Sequence, residues 1–536
     1  MTIGQKITQL RESMNMSQEQ LAEKIDVSRQ SVSKWEMDHS TPQMDKVLQM
    51  CELFNVTADE LLRESVSLAK SEIKNKYFGT DGFRGEANVG LTSMQAYKVG
   101  RFLGWYYANS LSGCTKSGYR PRIVIGKDTR RSSYMFEYSI VAGLIASGAD
   151  AYMLHVTTTP SVSYITRADE FDCGIMITAS HNPFYDNGIK VINRWGEKLD
   201  DRSTALIEAY IDGRLGELGV SGADLPLAQR ERIGCIVDYV SGRNRYVGYL
   251  ISLASHSYKN LKIGLDCANG ASWMIARAVF DALGAQTVVI GDQPDGLNVN
   301  ENCGSTHIER LCALVKEQHL DVGFAFDGDC DRCIAVDENG AIVDGDAIMY
   351  ILGKRLQSRG MLNQNTVVAT IMSNSGLFSG LKKLGIKCEQ TAVGDRFVYE
   401  CMQENDYSLG GEQSGHIILK KYATTGDGIL TAIMLTEEIC DSKQKLSKLR
   451  EAVVLYPQYI KNVRVKDKEA VMNDSEVKLA FEQVQSEIGE NGRALLRKSG
   501  TEPVVRVMIE FEDEEKCVEY ADRICQVIAQ RGHTVE

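Results

Sequence analysis

Two hydrophobic periods divide the chain. Through the first 65 residues, apolar positions step along at helical spacing: Ile7 with Leu10, Leu21 and Ala22 with Ile25, Val32 with Trp35. Ser17 stands three residues before Gln20, a capping-box spacing that predicts a helix start. Asp26-Val27 interrupts the pattern and Ser28 is placed to cap the helix that follows. Asp45–Phe54 and Thr57–Leu62 read as two further helices. Two short helices about a tight turn make the helix-turn-helix pattern.

Past residue 75 the apolar residues gather instead into short runs that end in polar or Gly-rich loops. These strand-like runs come in three sets of three. The first set is Ile123–Asp128, Ala151–His155 and Gly174–Ile177. The second is Ile263–Asp266, Thr287–Gly291 and Val322–Phe326, and the third is Val367–Ile371, Ile386–Glu389 and Tyr407–Leu409. Helix-patterned segments such as Ile275–Leu283 lie between, so the alternation implies parallel α/β units. The tail differs, with runs at Tyr459–Val463 and Val504–Ile509 and a long helix from Glu514. The expected architecture is three tandem mixed-sheet α/β domains plus a C-terminal α+β domain, preceded by a small all-α helix-turn-helix domain. The expected bounds are 1–65 for the helical module, 66–75 for a linker, then 76–232, 233–340, 341–455 and 456–536.

Composition narrows the class. Hydrophobic residues at 43% and charged residues at 25% suit a globular protein. No run approaches the roughly 18 apolar residues of a membrane span, and the first residues lack an apolar leader core. A cytoplasmic protein with its 14 cysteines reduced is expected. Cys330 and Cys333 have metal-like spacing but no second pair to complete a zinc site. The net charge of −12 disfavours nucleic acid as a partner of the whole chain. Residues 1–65 carry seven Lys or Arg against eleven Asp or Glu, so any DNA contact there needs a local basic face.

The candidate chemistry lies in the loops that end the third strand of each set. The apolar run Cys173–Ile177 leads into Thr178-Ala179-Ser180-His181-Asn182-Pro183, and Pro183 stops the strand. Ser180 is thus displayed at the carboxyl end of a strand, where open α/β sheets bind ligands, with His181 beside it; a capping serine is the competing reading. Asp327-Gly328-Asp329-Cys330-Asp331-Arg332 places three carboxylates at alternate positions around a glycine, a donor set for a hard cation such as Mg²⁺. Asp327, Asp329, Asp331 and Glu338 also match EF-hand positions, but Arg332 replaces the required glycine and a strand precedes the loop. The third loop, Gly410–His416, contains Glu412 and Ser414 and mixes acceptors and donors suited to a polyhydroxylated ligand. In the tail, Arg497-Lys498-Ser499-Gly500-Thr501-Glu502-Pro503, with Arg506, can cradle a phosphate, a capped turn being the alternative. Arg84, among the glycines of Phe78–Gly85, and Lys190, after the turn-like Asp186-Asn187-Gly188, are further cation candidates.

Taken together, residues from about 76 to 530 resemble the α-D-phosphohexomutase superfamily, and within it the bacterial phosphoglucosamine mutases. The resemblance rests on Lys76–Gly82, the serine and three-Asp loops, Asn302-Cys303-Gly304-Ser305-Thr306-His307, Gly411–His416 and Ser499–Pro503. It implies an isomerase in which phosphorylated Ser180 exchanges its phosphoryl group with a hexosamine monophosphate through a 1,6-bisphosphate, which also serves as activator. Mg²⁺ would be held by Asp327, Asp329, Asp331 and a phosphoserine oxygen. Arg84, Lys190 and His181 complete the catalytic candidates. Arg332, Glu412 and Ser414, with Arg497, Ser499, Gly500, Thr501 and Arg506, would bind the sugar and the non-reacting phosphate. Lys498 and Thr178 depart from the family's usual Pro and Ser. The family normally lacks the first 65 residues. These resemble the lambda-repressor/Cro-like (XRE-type) DNA-binding domains through Met16–Ala22 and Val27–Glu36, which implies Gln18, Arg29, Gln30, Ser31 and Lys34 as contacts to double-stranded DNA. A homodimer is the candidate assembly. The alternatives are a sugar-phosphate-sensing regulator and a phosphoglucomutase or phosphomannomutase.

Overall fold

A computed structural model describes residues 2–14, 16–37, 39–54, 56, 58–62, 75–110, 119–220, 222–489, 492–498 and 504–534. The helical module runs Ile3–Ser13, Gln18–Lys24, Arg29–Glu36, Met44–Phe54 and Ala58–Leu62. Ser17 and Gln20 form the expected reciprocal capping box, and the Ser28 hydroxyl accepts from the Ser31 N–H. Ile7, Leu21, Ala22, Ile25, Val32 and Trp35, the residues carrying the helical period, are buried with Met50 and Phe54 in one core.

The body holds four sheets. The first contains β1 (Phe78–Gly79), β2 (Gly82–Glu86), β3 (Arg122–Lys127), β4 (Asp150–Val156), β5 (Cys173–Ile177), β6 (Asp186–Asn193) and β7 (Ile236–Asp238), in the order β1-β2-β6-β5-β3-β4-β7. The second contains β8 (Lys262–Asp266), β9 (Gln286–Ile290), β10 (Val322–Phe326), β11 (Cys333–Asp337) and β12 (Ile342–Val343), in the order β12-β11-β10-β8-β9. The third orders β13 (Thr366–Thr370), β14 (Lys387–Thr391), β15 (Leu409–Gly411) and β16 (Ile417–Leu419) as β14-β13-β15-β16. The fourth is antiparallel: β17 (Gln458–Arg464), β18 (Gly492–Lys498) and β19 (Val504–Phe511), with β19 central.

The first three sheets repeat one device. A strand pairs in parallel with the first strand of its set (β5 with β3, β10 with β8, β15 with β13), then the chain reverses into an antiparallel neighbour. Each reversal is one of the three chemically rich loops. β5 and β10 are buried along their whole length, which is why both read as unbroken apolar runs.

Three expectations shift. Asp186–Lys190, read as a turn, is the first part of strand β6, because Asn187, Gly188 and Lys190 are buried: Asn187 and Lys190 have tertiary partners, and the Gly188 carbonyl accepts from the Thr178 N–H. The strand expected over Tyr407–Leu409 lies instead at Leu409–Gly411, so the two glycines are strand residues. The first sheet reaches past the expected boundary at 232 to β7, and β12 extends the second past 340. The chain divides into two compact units, Met1–Ile371 with Glu389–Lys448, and Met372–Cys388 with Leu449–Glu536. Among the described residues no helix is long and apolar enough to cross a membrane.

Candidate active site

Ser180 sits three residues past β5, 1% exposed, with φ at +53°, a left-handed conformation that non-glycine residues adopt only when their surroundings impose it. Its N–H donates to Thr178 Oγ1 (2.9 Å), and that hydroxyl donates to Asp128 Oδ2 (2.8 Å). The Ser180 hydroxyl in turn donates to Asp327 Oδ2 at 2.5 Å. His181 Nδ1 lies 3.4 Å from the same hydroxyl. Burial, reinforced by Arg332 and Arg84, lowers His181 to about 4, so its imidazole is neutral in neutral solution.

β10 delivers Asp327 at its end, and the loop turns through Cys330, which also has positive φ (+62°). The carboxylates of Asp327, Asp329 and Asp331 converge so that one oxygen from each lies within 4.8 Å of the others, all three residues buried. Gly328 makes the approach possible: a β-carbon there would lie 2.5 Å from the Ser180 carbonyl. Asp329 Oδ2 accepts from Thr159 Oγ1 (2.5 Å) and Lys190 Nζ (2.8 Å), and Asp331 Oδ2 from Lys190 Nζ (3.0 Å). The Oδ1 atoms of Asp329 and Asp331 are buried and accept no hydrogen bond. Burial together with its neighbours Asp331 and Asp329 pushes Asp327 well above the usual carboxylate range. Three buried, convergent carboxylates, two of them with an oxygen that accepts no hydrogen bond, fit a small divalent cation with oxygen preference. Glu338 is not part of this set, since it accepts from Ser447 Oγ at 2.5 Å, which removes the EF-hand alternative.

Cations surround the triad. Lys190, on β6, loses from burial but gains more from Asp329, Asp331 and Asp81, and stays protonated far above its ordinary range. Arg84 pairs with Asp81, and Lys198 Nζ bridges Asp81 (2.8 Å) and Asp395 (2.6 Å). Sequence reasoning passed over Asp81, Lys198, Asp395 and Thr159. Asp81 lies inside the Lys76–Gly82 motif, and Thr159 follows two further threonines just before Pro160 at a helix start, a capping signal.

The third loop brings Glu412 and Ser414 into a tight turn in which the Glu412 N–H donates to the His416 carbonyl (3.0 Å) and the Gly415 N–H to the Glu412 carbonyl (3.0 Å). Glu412 Oε1 accepts from the Gly394 N–H at 3.0 Å. Ser414 Oγ and Arg332 Nε are buried without a hydrogen-bond partner among the described residues, as expected of groups meant for a polar ligand. Burial works against the Arg332 charge, but Asp327, Asp331 and Glu412 more than offset it.

The second unit carries its own cation pair. Arg497 on β18 lies directly opposite Arg506 on β19, a like-charge pairing that costs stability unless an anion joins it. Burial and then Arg506 lower Arg497. The two line a cavity of about 270 Å³ with Ile460, Asn462, Leu495 and Met508. Lys498 is turned to Glu469, so it adds no cation to this cavity's lining. Ser499, Gly500 and Thr501 lie outside the described residues.

In the helical module Arg29, Gln30 and Lys34 are exposed on helix Arg29–Glu36, while Ser31 is half-buried against Ser28. Gln18 is engaged within the module, its amide donating to Glu36 Oε2 at 2.8 Å beside Arg11. One further acidic cluster, His256, Glu437 and Asp441, is saturated by Ser255, Tyr258, Arg355 and Arg359.

Family models match most of the chain. Those described as phosphoglucomutase/phosphomannomutase alpha/beta/alpha domains I, II and III match residues 75–215, 244–340 and 344–456, and the corresponding C-terminal domain matches 460–527. A helix-turn-helix model matches 7–61. A phosphoglucosamine mutase of Lachnospira eligens is 59% identical over 460 residues, covering 86% of this chain and all of that one. That of Bacillus subtilis is 48% identical over 454 residues, 84% of this chain and 98% of the other. Among solved structures, a phosphoglucomutase/phosphomannomutase family protein of Burkholderia thailandensis shares the fold at a TM-score of 0.70 and 22% identity, over 85% of this chain and 98% of its own. Aspergillus fumigatus N-acetylphosphoglucosamine mutase, in complex with GlcNAc-6P and magnesium, matches at a TM-score of 0.60 and 18% identity, over 92% of this chain and 100% of its own.

Proposed function

The chain belongs to the phosphoglucomutase/phosphomannomutase family, and from that premise we infer a phosphoglucosamine mutase that interconverts glucosamine 6-phosphate and glucosamine 1-phosphate. The observation that carries the reading is the Ser180 hydroxyl held 2.5 Å from Asp327 at the mouth of the three-carboxylate loop. A hydroxyl so placed carries a phosphoryl group beside a cation without needing a hydrolase-style base. Asp327, Asp329 and Asp331 would hold Mg²⁺, with an oxygen of phosphorylated Ser180, and the ion would neutralise phosphoryl charge there.

In the forward half-reaction the Ser180 Oγ–P bond breaks as a bond forms between phosphorus and the free hydroxyl of the sugar phosphate, whose proton passes to the departing Ser180 Oγ. The resulting 1,6-bisphosphate turns over in the site, and its other phosphate returns to Ser180. Lys190, pinned by two of the triad carboxylates, and Arg84 act as fixed positive charge rather than as proton acceptors. Glu412, Ser414 and Arg332 hold sugar hydroxyls. Arg497 and Arg506, with Ser499, Gly500 and Thr501, hold the phosphate that is not reacting. Neutral His181 contributes packing and a hydrogen bond at the serine.

The test is conversion of glucosamine 6-phosphate with Mg²⁺ and glucose 1,6-bisphosphate as activator. Turnover in the native chain and its loss in Ser180→Ala are expected; no native turnover sinks the reading, and faster turnover of glucose or mannose phosphates reassigns the substrate. The exposed Arg29, Gln30 and Lys34 favour a second role for the helical module, binding of double-stranded DNA along helix Arg29–Glu36. Salt-sensitive retention of duplex DNA by the native chain supports it, and retention that survives Arg29→Ala with Lys34→Ala excludes it.

A further inference from the structure

We propose that Asn300, supplied by the second α/β domain, is a positioning residue that ties the Ser180 loop to that domain and so sets the register of the serine hydroxyl on the metal loop. The inference rests on the mutase reading above. The asparagine lies just before the Asn302–His307 text, whose chemistry the sequence left unexplained.

Asn300 is 6% exposed and itself held at φ +58°, with its N–H on the Ala268 carbonyl at 2.9 Å. Its amide nitrogen donates to the Ser180 carbonyl (2.9 Å) and to the Asn182 carbonyl (3.2 Å). Both partners are acceptors, so the chemistry assigns the NH₂ face of the amide to the serine loop. The same two carbonyls receive Arg130 Nη2, each at 2.8 Å, from within the serine's own domain. Arg130 is fully buried, and its other donors hold Pro183, Asp186 and Asp128.

The two donors have different jobs. Arg130 closes the loop on its own domain, so the loop keeps its fold without Asn300. Asn300 ties that loop to the neighbouring domain, where the Gly328 turn abuts it: a β-carbon at Gly328 would come within 3.1 Å of the Asn300 amide. A reciprocal tie runs the other way, from Thr159 of the first domain to both the carbonyl (3.0 Å) and the carboxylate (2.5 Å) of Asp329. Ser180 and Asp327 belong to different domains, so their 2.5 Å contact depends on these cross-domain ties. A hydroxyl displaced by about an ångström loses on the order of a hundredfold in rate.

The experiment follows phosphate gain at Ser180 from glucose 1,6-bisphosphate with Mg²⁺ by intact mass, a readout independent of which hexose phosphate is preferred. Native chain, Asn300→Asp and Asn300→Ala are compared. The aspartate keeps the shape but removes the donor and faces two carbonyls with an acceptor. The expected result is a labelling rate and a kcat lowered about 10- to 100-fold in both variants, with KM for glucosamine 6-phosphate within about twofold and, in Asn300→Ala, an unchanged melting midpoint. Native labelling rates in the variants overturn the inference alone. A joint fall of kcat, melting midpoint and substrate affinity in Asn300→Ala also overturns it, since that pattern marks a merely structural residue. Absence of labelling in the native chain overturns the mutase reading and this inference together.

Discussion

Buried carboxylate oxygens that accept no hydrogen bond are the strongest residue-level signal in the molecule. Asp329 and Asp331 each accept from Lys190 through one oxygen; the other oxygen of each accepts no hydrogen bond, that of Asp331 lying 3.6 Å from His416 Nδ1 and that of Asp329 left open to a cation. Asp331→Asn removes a ligand while keeping the shape, so turnover should fall at least a hundredfold and need more Mg²⁺ to saturate; a magnesium titration checks it, and native magnesium dependence contradicts the ligand assignment. A different buried acid gives a pH prediction. Asp427 caps the helix Gly428–Ser442 and accepts from Tyr246, and burial, only partly offset by those hydrogen bonds, raises it to about 6. The folded state therefore holds this proton more tightly than the unfolded chain does. Its contribution to stability is complete below about pH 4 and is lost as pH rises to about 6, on the order of 2–3 kcal/mol. Asp427→Asn keeps a capping oxygen without a titrating proton. Relative to that variant, the native melting midpoint should drop between pH 4.5 and 7; parallel profiles would falsify the assignment.

At the scale of elements, the antiparallel pair of β18 and β19 makes its own prediction. Arg497 and Arg506 face each other, and no acid figures in the electrostatics of Arg497. Arg506→Ala removes one cation of the facing pair that lines the cavity, so KM for the sugar phosphate should rise about tenfold or more. A KM unchanged in steady-state kinetics removes the phosphate role. The elements themselves were largely legible because buried strands such as β5 and β10 are unbroken apolar runs with loops that stop them. The helical module was legible through its caps, since Ser17 and Ser28 act within three residues of themselves. β6 was not, because Asn187 and Lys190 look solvent-bound until Ser132, Ser133, Asp329 and Asp331 arrive from elsewhere. The same reason hid the ties on the catalytic loop. Asn300 lies 120 residues from Ser180 and Thr159 lies 170 from Asp329, and no local period records such a contact.

Across the whole molecule, the mutase body holds its own N-terminal edge. Lys76, Tyr77 and Phe78 donate their backbone N–H groups to the single carboxylate of Glu208 at 2.6–2.8 Å, and Asn75 donates to Thr204 at 2.7 Å. These anchors lie within the first α/β domain and stand three residues or more before Asp81 and Arg84, the first groups of the catalytic cluster. Removal of residues 1–74 should therefore leave kcat/KM within about twofold, and a tenfold loss would mean that the helical module takes part in catalysis. DNA retention should vanish in the same truncated chain. In the full chain it should be weak and steeply salt-dependent, because the module's net charge of −4 leaves binding to a few exposed cations. Replacing Lys34, if it meets a phosphate, should lower the salt slope by about one. Retention whose salt slope is untouched by Arg29→Ala and Lys34→Ala together places the contact surface on another face of the chain.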